Sequence, residues 1–159
     1  ISYLGYPSAL LELSNYIEEK NINFNSKVKC VITMSEALEE QARKRIANSL
    51  KCNRVFSRYS NVENGIIAQQ YRMDKRFFLI NTASYCVEIL DDNNEPVHYG
   101  SSGKIVVTDY FNFGMPLIRY DTGDLGTVLK EKVNGNECLI FKEVEGRKMD
   151  PAEELEPNG

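Results

Sequence analysis

Apolar residues recur at helical spacing in PSALLELSNYIEEKN, where Leu10, Leu13 and Ile17 fall toward one face with Tyr16 at its margin. Pro7 stands where a first-turn proline is tolerated. The run Val28 to Thr33 in KVKCVIT has the length of a strand. A second helical period runs through SEALEEQARKRIANSL, with Leu38, Ala42, Ile46 and Leu50 near four-residue spacing. Ser35 or Thr33 could cap that helix, and Thr33 with Glu36 fits the capping-box spacing. NRVFSRY reads as a further strand. Helix, strand, helix, strand predicts a crossover unit and a small parallel sheet.

After Gly65 the pattern changes to short β-rich runs separated by turn signals: GIIAQQY, FFLINT, CVEILD, GKIVVT, PLIRY, LGTVL and ECLIFKEV. This half is predicted to be antiparallel. DDNNEP and VNGNE are hairpin chemistry, because Asn and Gly accept the positive φ of tight turns. The expected class is α/β (α+β). A small parallel α/β layer over residues 1–65 should precede an antiparallel β-rich, barrel-like portion over 66–145.

Composition excludes several functions. Four of the 23 acidic residues lie among the last ten positions, which hold no Lys or Arg, so the rest of the chain carries nineteen of each sign. That balance gives no basic excess with which to meet nucleic acid. No apolar run approaches the roughly 20 residues of a membrane-spanning helix. Cys30, Cys52, Cys86 and Cys138 form no C-x-x-C pair and His98 is the single histidine, so a zinc cluster is not expected. Isolated thiols on strands behave as small hydrophobes, and with no signal sequence the expected setting is cytoplasmic. The chain begins at Ile1 rather than Met, its first residues read as the lead-in to a helix, and it is expected to be an internal piece of a longer protein.

The segment PLIRYDTGDLG, Pro116 to Gly126, concentrates the chemistry. Asp121 to Asp124 are expected in a turn between two strands, with Gly123 letting the backbone approach whatever Asp124 faces. A carboxylate held there could accept hydrogen bonds from both hydroxyls of a vicinal diol such as a ribose. The alternative is a solvated hairpin whose Asp side chains cap backbone amides. The tripeptide Asp121-Thr122-Gly123 also matches the core of aspartic proteases. Arg119, Tyr120 and Asp124 are the wrong neighbours for that use, and no second copy occurs.

Read in order, several stretches resemble the adenylate-forming (acyl-activating) ligases. RYSNVENG is similar to the family's Y-G-x-[ST]-E motif, and GKIVVTDYFNFGMPLIRYDTGD to its G-E-L-x-x-T strand and R-Y-x-T-G-D turn. VEGRKMD resembles the G-R-x-x-D hinge, which makes 146–159 a hinge motif and tail. The spacing of PLIRY onto DTGD is most similar to the phenylacetate-CoA ligase branch, which includes proteins of capsular polysaccharide biosynthesis.

The resemblance implies a parent enzyme that activates a small carboxylic acid with ATP and Mg²⁺ as an acyl-adenylate and passes it to the thiol of coenzyme A. Asp124 would hold the ribose hydroxyls, and Glu63 would be a magnesium ligand. Tyr59 would pack on adenine or line the acyl pocket, with Ser60 and Asn61 along the same wall. Ser35 and Glu36 would form the turn close to the nucleotide, and Arg147 would reach ribose or phosphate. The chain departs from the family at Ser60, at Met34 and Ser35 in place of a small glycine turn, and at Met149, with Asp150 one place later. Gln70, Tyr71 and Leu79 stand where the phenylacetate branch carries E-C and a histidine. No phosphate loop and no carboxy-terminal lobe with its lysine are found, so the fragment alone is expected to be inactive. The second functional class implied is a catalytically silent homologue acting as a scaffold in polysaccharide assembly.

Overall fold

A computed structural model describes residues 1–25, 27–72 and 76–146. Its strands are β1 (Ser2–Gly5), β2 (Cys30–Thr33), β3 (Val55–Asn61), β4 (Gly65–Gln69), β5 (Phe78–Ile80), β6 (Tyr85–Leu90), β7 (Ser102–Asp109), β8 (Tyr120–Val133) and β9 (Asn136–Glu145). Two helices, α1 (Pro7–Glu19) and α2 (Glu40–Ser49), lie among the first three strands. The strands form one nine-stranded mixed sheet in the order β1-β2-β3-β4-β5-β9-β8-β7-β6. The sheet is not closed: β1 and β6 are its edges, so the half expected to be barrel-like is an open layer.

β3 joins the two halves. Val55 to Ser57 pair in parallel with Val31 to Thr33, whereas Arg58 to Asn61 pair antiparallel with β4, with a register shift between Tyr59 and Ser60. One strand therefore serves the α/β layer with its first half and the antiparallel layer with its second. Each layer has its own apolar cluster. Leu10, Ile17, Val31, Ile46, Leu50 and Val55 pack the helices on β2 and β3. Ile67, Ile80, Ile105, Val107, Val128 and Phe141 fill the antiparallel side.

Outside the DTGD segment, local structure departs from the sequence pattern at four places. The opening residues form β1, which pairs in parallel with β2 from Ser2 opposite Cys30 to Gly5 opposite Thr33. In α1 the inward residues are Pro7, Leu10, Ser14 and Ile17, while Leu13 and Tyr16 are exposed. Ser14 fits inside because its hydroxyl donates to the Leu10 carbonyl at 2.8 Å, which satisfies it without a distant partner.

The second helix starts at Glu40, later than its apolar period suggests. Ser35 has a φ of 64°, a left-handed conformation through which an α-helix cannot run. The expected capping box does not form, because the Thr33 hydroxyl donates to the Phe56 carbonyl at 3.4 Å and the Glu36 carboxylate is engaged elsewhere. The fourth departure is PLIRY. Only Tyr120 belongs to a strand, since Pro116 lacks an N–H and Arg119 turns to a φ of 50°. Asn134 and Gly135, both at positive φ, make the tight β8–β9 turn as their dipeptide predicts.

Candidate functional site

DTGD is a strand bulge, not a hairpin turn. Lys104 faces Leu125 and Val106 faces Asp121, so two positions along β7 are matched by four along β8. Gly123 takes a φ of 78° in the extra loop, which a side chain would disfavour. Thr122, 3% exposed, stitches the bulge down: its hydroxyl donates to the Ile105 carbonyl at 3.0 Å and accepts the Asp124 N–H at 3.2 Å. The Gly123 N–H donates to Asp121 Oδ1 at 2.9 Å, so Asp121, the protease-like carboxylate, is occupied in shaping the loop. Asp124 is the carboxylate the bulge turns toward β3.

There it meets Tyr59. The phenol hydroxyl donates to Asp124 Oδ2 at 2.7 Å and lies 3.3 Å from Thr122 Oγ1. The Tyr59 ring packs edge-on against Phe141, with centroids 5.5 Å apart and planes at 81°. Tyr59 and Asp124, 65 residues apart in sequence, thus form one wall of a cleft of about 980 Å³. Ser35, Glu36 and Ser60 line the same cleft. Five of the residues singled out by sequence are brought together: Ser35, Glu36, Tyr59, Ser60 and Asp124.

The others stand apart. Asn61 builds the β3–β4 turn, its Oδ1 accepting the Asn64 N–H at 2.7 Å and its Nδ2 donating to Asn64 Oδ1 at 3.1 Å. Glu63 lies in that turn, outside the cleft lining. Among the described residues no three His, Cys, Asp or Glu gather to hold a metal ion. Magnesium commonly takes only one or two carboxylates and completes its shell with waters and phosphates, so Glu63 could supply a single ligand. Arg147, Met149 and Asp150 lie outside the described residues; Gly146, just before them, is at the cleft lining.

Glu36 has a partner that the sequence does not announce. The Ser8 N–H donates to its Oε2 at 2.9 Å and the Ser8 hydroxyl to its Oε1 at 2.8 Å, so its carboxylate sits on the first turn of α1. Tyr6, the residue at the N-cap, offers no side-chain bond of its own. Anchoring Glu36 there holds the loop between β2 and α2 against the cleft.

Among the lining residues to which the sequence reading gave no site role are Arg43 and Gln70, the latter noted only as a departure from the phenylacetate branch. Gln70, 5% exposed, accepts from the Ser57 N–H at 2.9 Å and from Arg43 Nη2 at 3.0 Å, and its Nε2 donates to the Arg76 carbonyl at 3.1 Å. Arg43 Nη1 also donates to the Val55 carbonyl. Burial pulls the Arg43 guanidinium pKa down, Glu40 opposes that shift and Arg76 adds to it. Glu40 lies 3.6 Å from Arg43 and 3.5 Å from Arg76, sharing one exposed carboxylate between two cations. A signal existed for Arg43, since it precedes the buried Ile46 by three residues and so lies on the inward side of α2.

The fold is that of part of the CoA ligases. The chain superposes on an open conformation of 2-hydroxyisobutyryl-CoA ligase in complex with 2-HIB-AMP and CoA, with a TM-score of 0.81 and 22% identity over 92% of this chain and 33% of that one. It is similar also to the long-chain-fatty-acid-CoA ligase FadD1 from Archaeoglobus fulgidus, with a TM-score of 0.67 and 17% identity over 92% and 34% of the two chains. The anthranilate CoA ligase AuaEII in complex with anthranoyl-AMP gives a TM-score of 0.59 and 16% identity over 86% and 31%. The chain spans about a third of the length of these structures. No family profile and no curated protein sequence matches it. Among the described residues no helix is long and apolar enough to cross a membrane.

Proposed function

We propose that this chain is part of an ATP-dependent ligase that joins a carboxylic acid to a thiol through an acyl-adenylate, and that the cleft between β3 and β8 is its nucleotide side. In that reaction a carboxylate oxygen attacks the α-phosphorus of ATP and pyrophosphate leaves. The thiol of coenzyme A then attacks the acyl carbon, and AMP leaves. Catalysis of this kind rests on positioning and charge neutralisation.

The observation that carries the reading is the 2.7 Å bond between Tyr59 and Asp124 across the cleft. It unites two stretches that each resemble a nucleotide motif, in a fold shared with ligases solved with acyl-AMP compounds. Asp124 takes the ribose diol, Tyr59 and Ser60 form the adjoining wall, and the loop at Ser35 approaches the base. Glu63 and Mg²⁺ serve the phosphates, and Arg147 the ribose or phosphate, from outside the geometry described above. The phenylacetate-CoA ligase branch is the finer assignment, motivated by PLIRY running directly onto DTGD. Residues 1–65, 66–145 and 146–159 serve as the α/β part, the β-rich part and the hinge.

The test is calorimetric titration of AMP and ATP into the full-length polypeptide that carries this sequence, beside an Asp124→Asn variant. Binding that weakens by an order of magnitude or more in the variant is expected, since charge-assisted bonds to a diol are lost. Equal affinity in both proteins rejects the ribose assignment. One observation favours a second reading, the silent scaffold: the Glu36 carboxylate of the nucleotide turn is committed to Ser8. Absence of pyrophosphate release with ATP, Mg²⁺ and a panel of carboxylic acids would support it.

A further inference from the structure

We infer that Tyr59 is a positioning residue for Asp124, its hydroxyl acting on the ligand through that carboxylate. Three observations carry this, and the inference rests on the ribose role proposed for Asp124. First, the phenol has a single proton, and the 2.7 Å separation from Asp124 Oδ2 against 3.3 Å from Thr122 Oγ1 assigns that proton to the carboxylate. The Thr122 proton is directed at the Ile105 carbonyl, so Thr122 does not compete for Asp124.

Second, the Tyr59 ring is held from behind. Its edge-on contact with Phe141, itself 0% exposed, and its place at the margin of the antiparallel core fix where the hydroxyl sits. An aromatic side chain has few rotamers to lose, so a ring packed in this way makes a rigid strut. Third, the bulge that carries Asp124 is held through Thr122 and the Asp121 carboxylate, neither of which bonds the Asp124 side chain. Among the described residues, Tyr59 is the one whose side chain bonds that carboxylate.

The consequence is a division of labour between the two carboxylate oxygens. Oδ2 spends one lone pair on Tyr59, which sets the plane of the group. Oδ1 and the remaining lone pair of Oδ2 are left to accept from two adjacent hydroxyls. A free carboxylate on a strand would swing about its terminal torsion, which is broad. The inference therefore adds preorganisation to a contact already proposed.

The experiment titrates AMP and 2′,3′-dideoxy-AMP into the full-length polypeptide as wild type, Tyr59→Phe, Asp124→Asn and the double variant. Tyr59→Phe keeps the ring and removes only the hydroxyl. The expected result is AMP binding about tenfold weaker in Tyr59→Phe. Dideoxy-AMP affinity should then be unchanged within about twofold, and the double variant no weaker than Asp124→Asn alone. Equal weakening of both nucleotides, or no weakening of AMP, overturns the inference. If Asp124→Asn itself binds both nucleotides as wild type does, the ribose reading fails first; if it loses AMP while Tyr59→Phe does not, only the positioning role fails.

Discussion

Glu36 holds Ser8 by two hydrogen bonds, at 2.9 Å to its backbone N–H and 2.8 Å to its hydroxyl, across 28 residues of sequence. A carboxylate on the first turn of a helix meets both an unsatisfied N–H and the positive end of the helix dipole. Because the N-cap residue Tyr6 supplies no side-chain bond, α1 borrows its cap from the loop that precedes α2. Glu36→Ala is expected to lower stability by about 1 kcal/mol, read as a shift in the urea midpoint. Ser8→Ala should cost less, since it removes the hydroxyl bond alone. A double variant less than additive would show that the two act as one unit.

The knot at Gln70 predicts a larger loss. Replacing it by Leu leaves the Ser57 N–H without its acceptor and removes the Arg43 and Arg76 bonds, with all four groups at the seam between the two layers. Each unsatisfied buried group costs about 1–3 kcal/mol, so Gln70→Leu is expected to destabilise by about 3 kcal/mol. Gln70→Glu keeps the acceptor facing Arg43 and loses only the donor to Arg76. Its chemical denaturation midpoint should fall between those of Gln70→Leu and wild type.

What the pattern of residues revealed follows the range of the forces involved. Both helices and nearly all the strands are written in local periodicity, and the Asn134-Gly135 turn in its own dipeptide. β1 was hidden because four residues with mixed character acquire strand geometry only by pairing with Cys30 to Thr33, far along the chain. The DTGD bulge read as a turn because Gly and Asp favour both; the choice is made by β7 on one side. Motif order brought Tyr59 and Asp124 to notice, yet the bond between them depends on β3 changing partners midway. The Ser8–Glu36 pair had no sequence signal, since a Ser-x-x-Glu pattern reports only caps within one turn.

Tyr85 should govern the alkaline limit of stability. Its ring is buried in the antiparallel cluster and its hydroxyl donates to the Asn64 carbonyl. Burial raises its pKa, and the Asp109 charge adds to the effect. The unfolded chain then ionises this phenol near its ordinary value of about 10, while the folded protein still holds the proton. The contribution is complete below that value and is lost as the pH rises through it toward the folded pKa. Unfolding free energy measured from about pH 8 to 11 should fall more steeply in wild type than in Tyr85→Phe. The variant is less stable at neutral pH because it lacks the hydrogen bond. Parallel slopes would show that Tyr85 ionises equally in both states.

Gly123 connects backbone strain to the orientation of Asp124. At a φ of 78° a residue with a Cβ pays about 1–2 kcal/mol, so Gly123→Ala should lower stability by that amount or push the bulge toward regular pairing. Either response matters for Asp124, because its N–H bond to Thr122 and its carboxylate bond to Tyr59 both require the present loop. Gly114 provides the control: a Cβ there meets nothing within 4 Å and its φ is not in the left-handed region. Gly114→Ala should be neutral or slightly stabilising through the unfolded chain. Amide exchange at Asp124 separates the two responses in Gly123→Ala. Faster exchange there with unchanged β7–β9 protection means that the bulge has opened locally, whereas uniform acceleration means a loss of global stability alone.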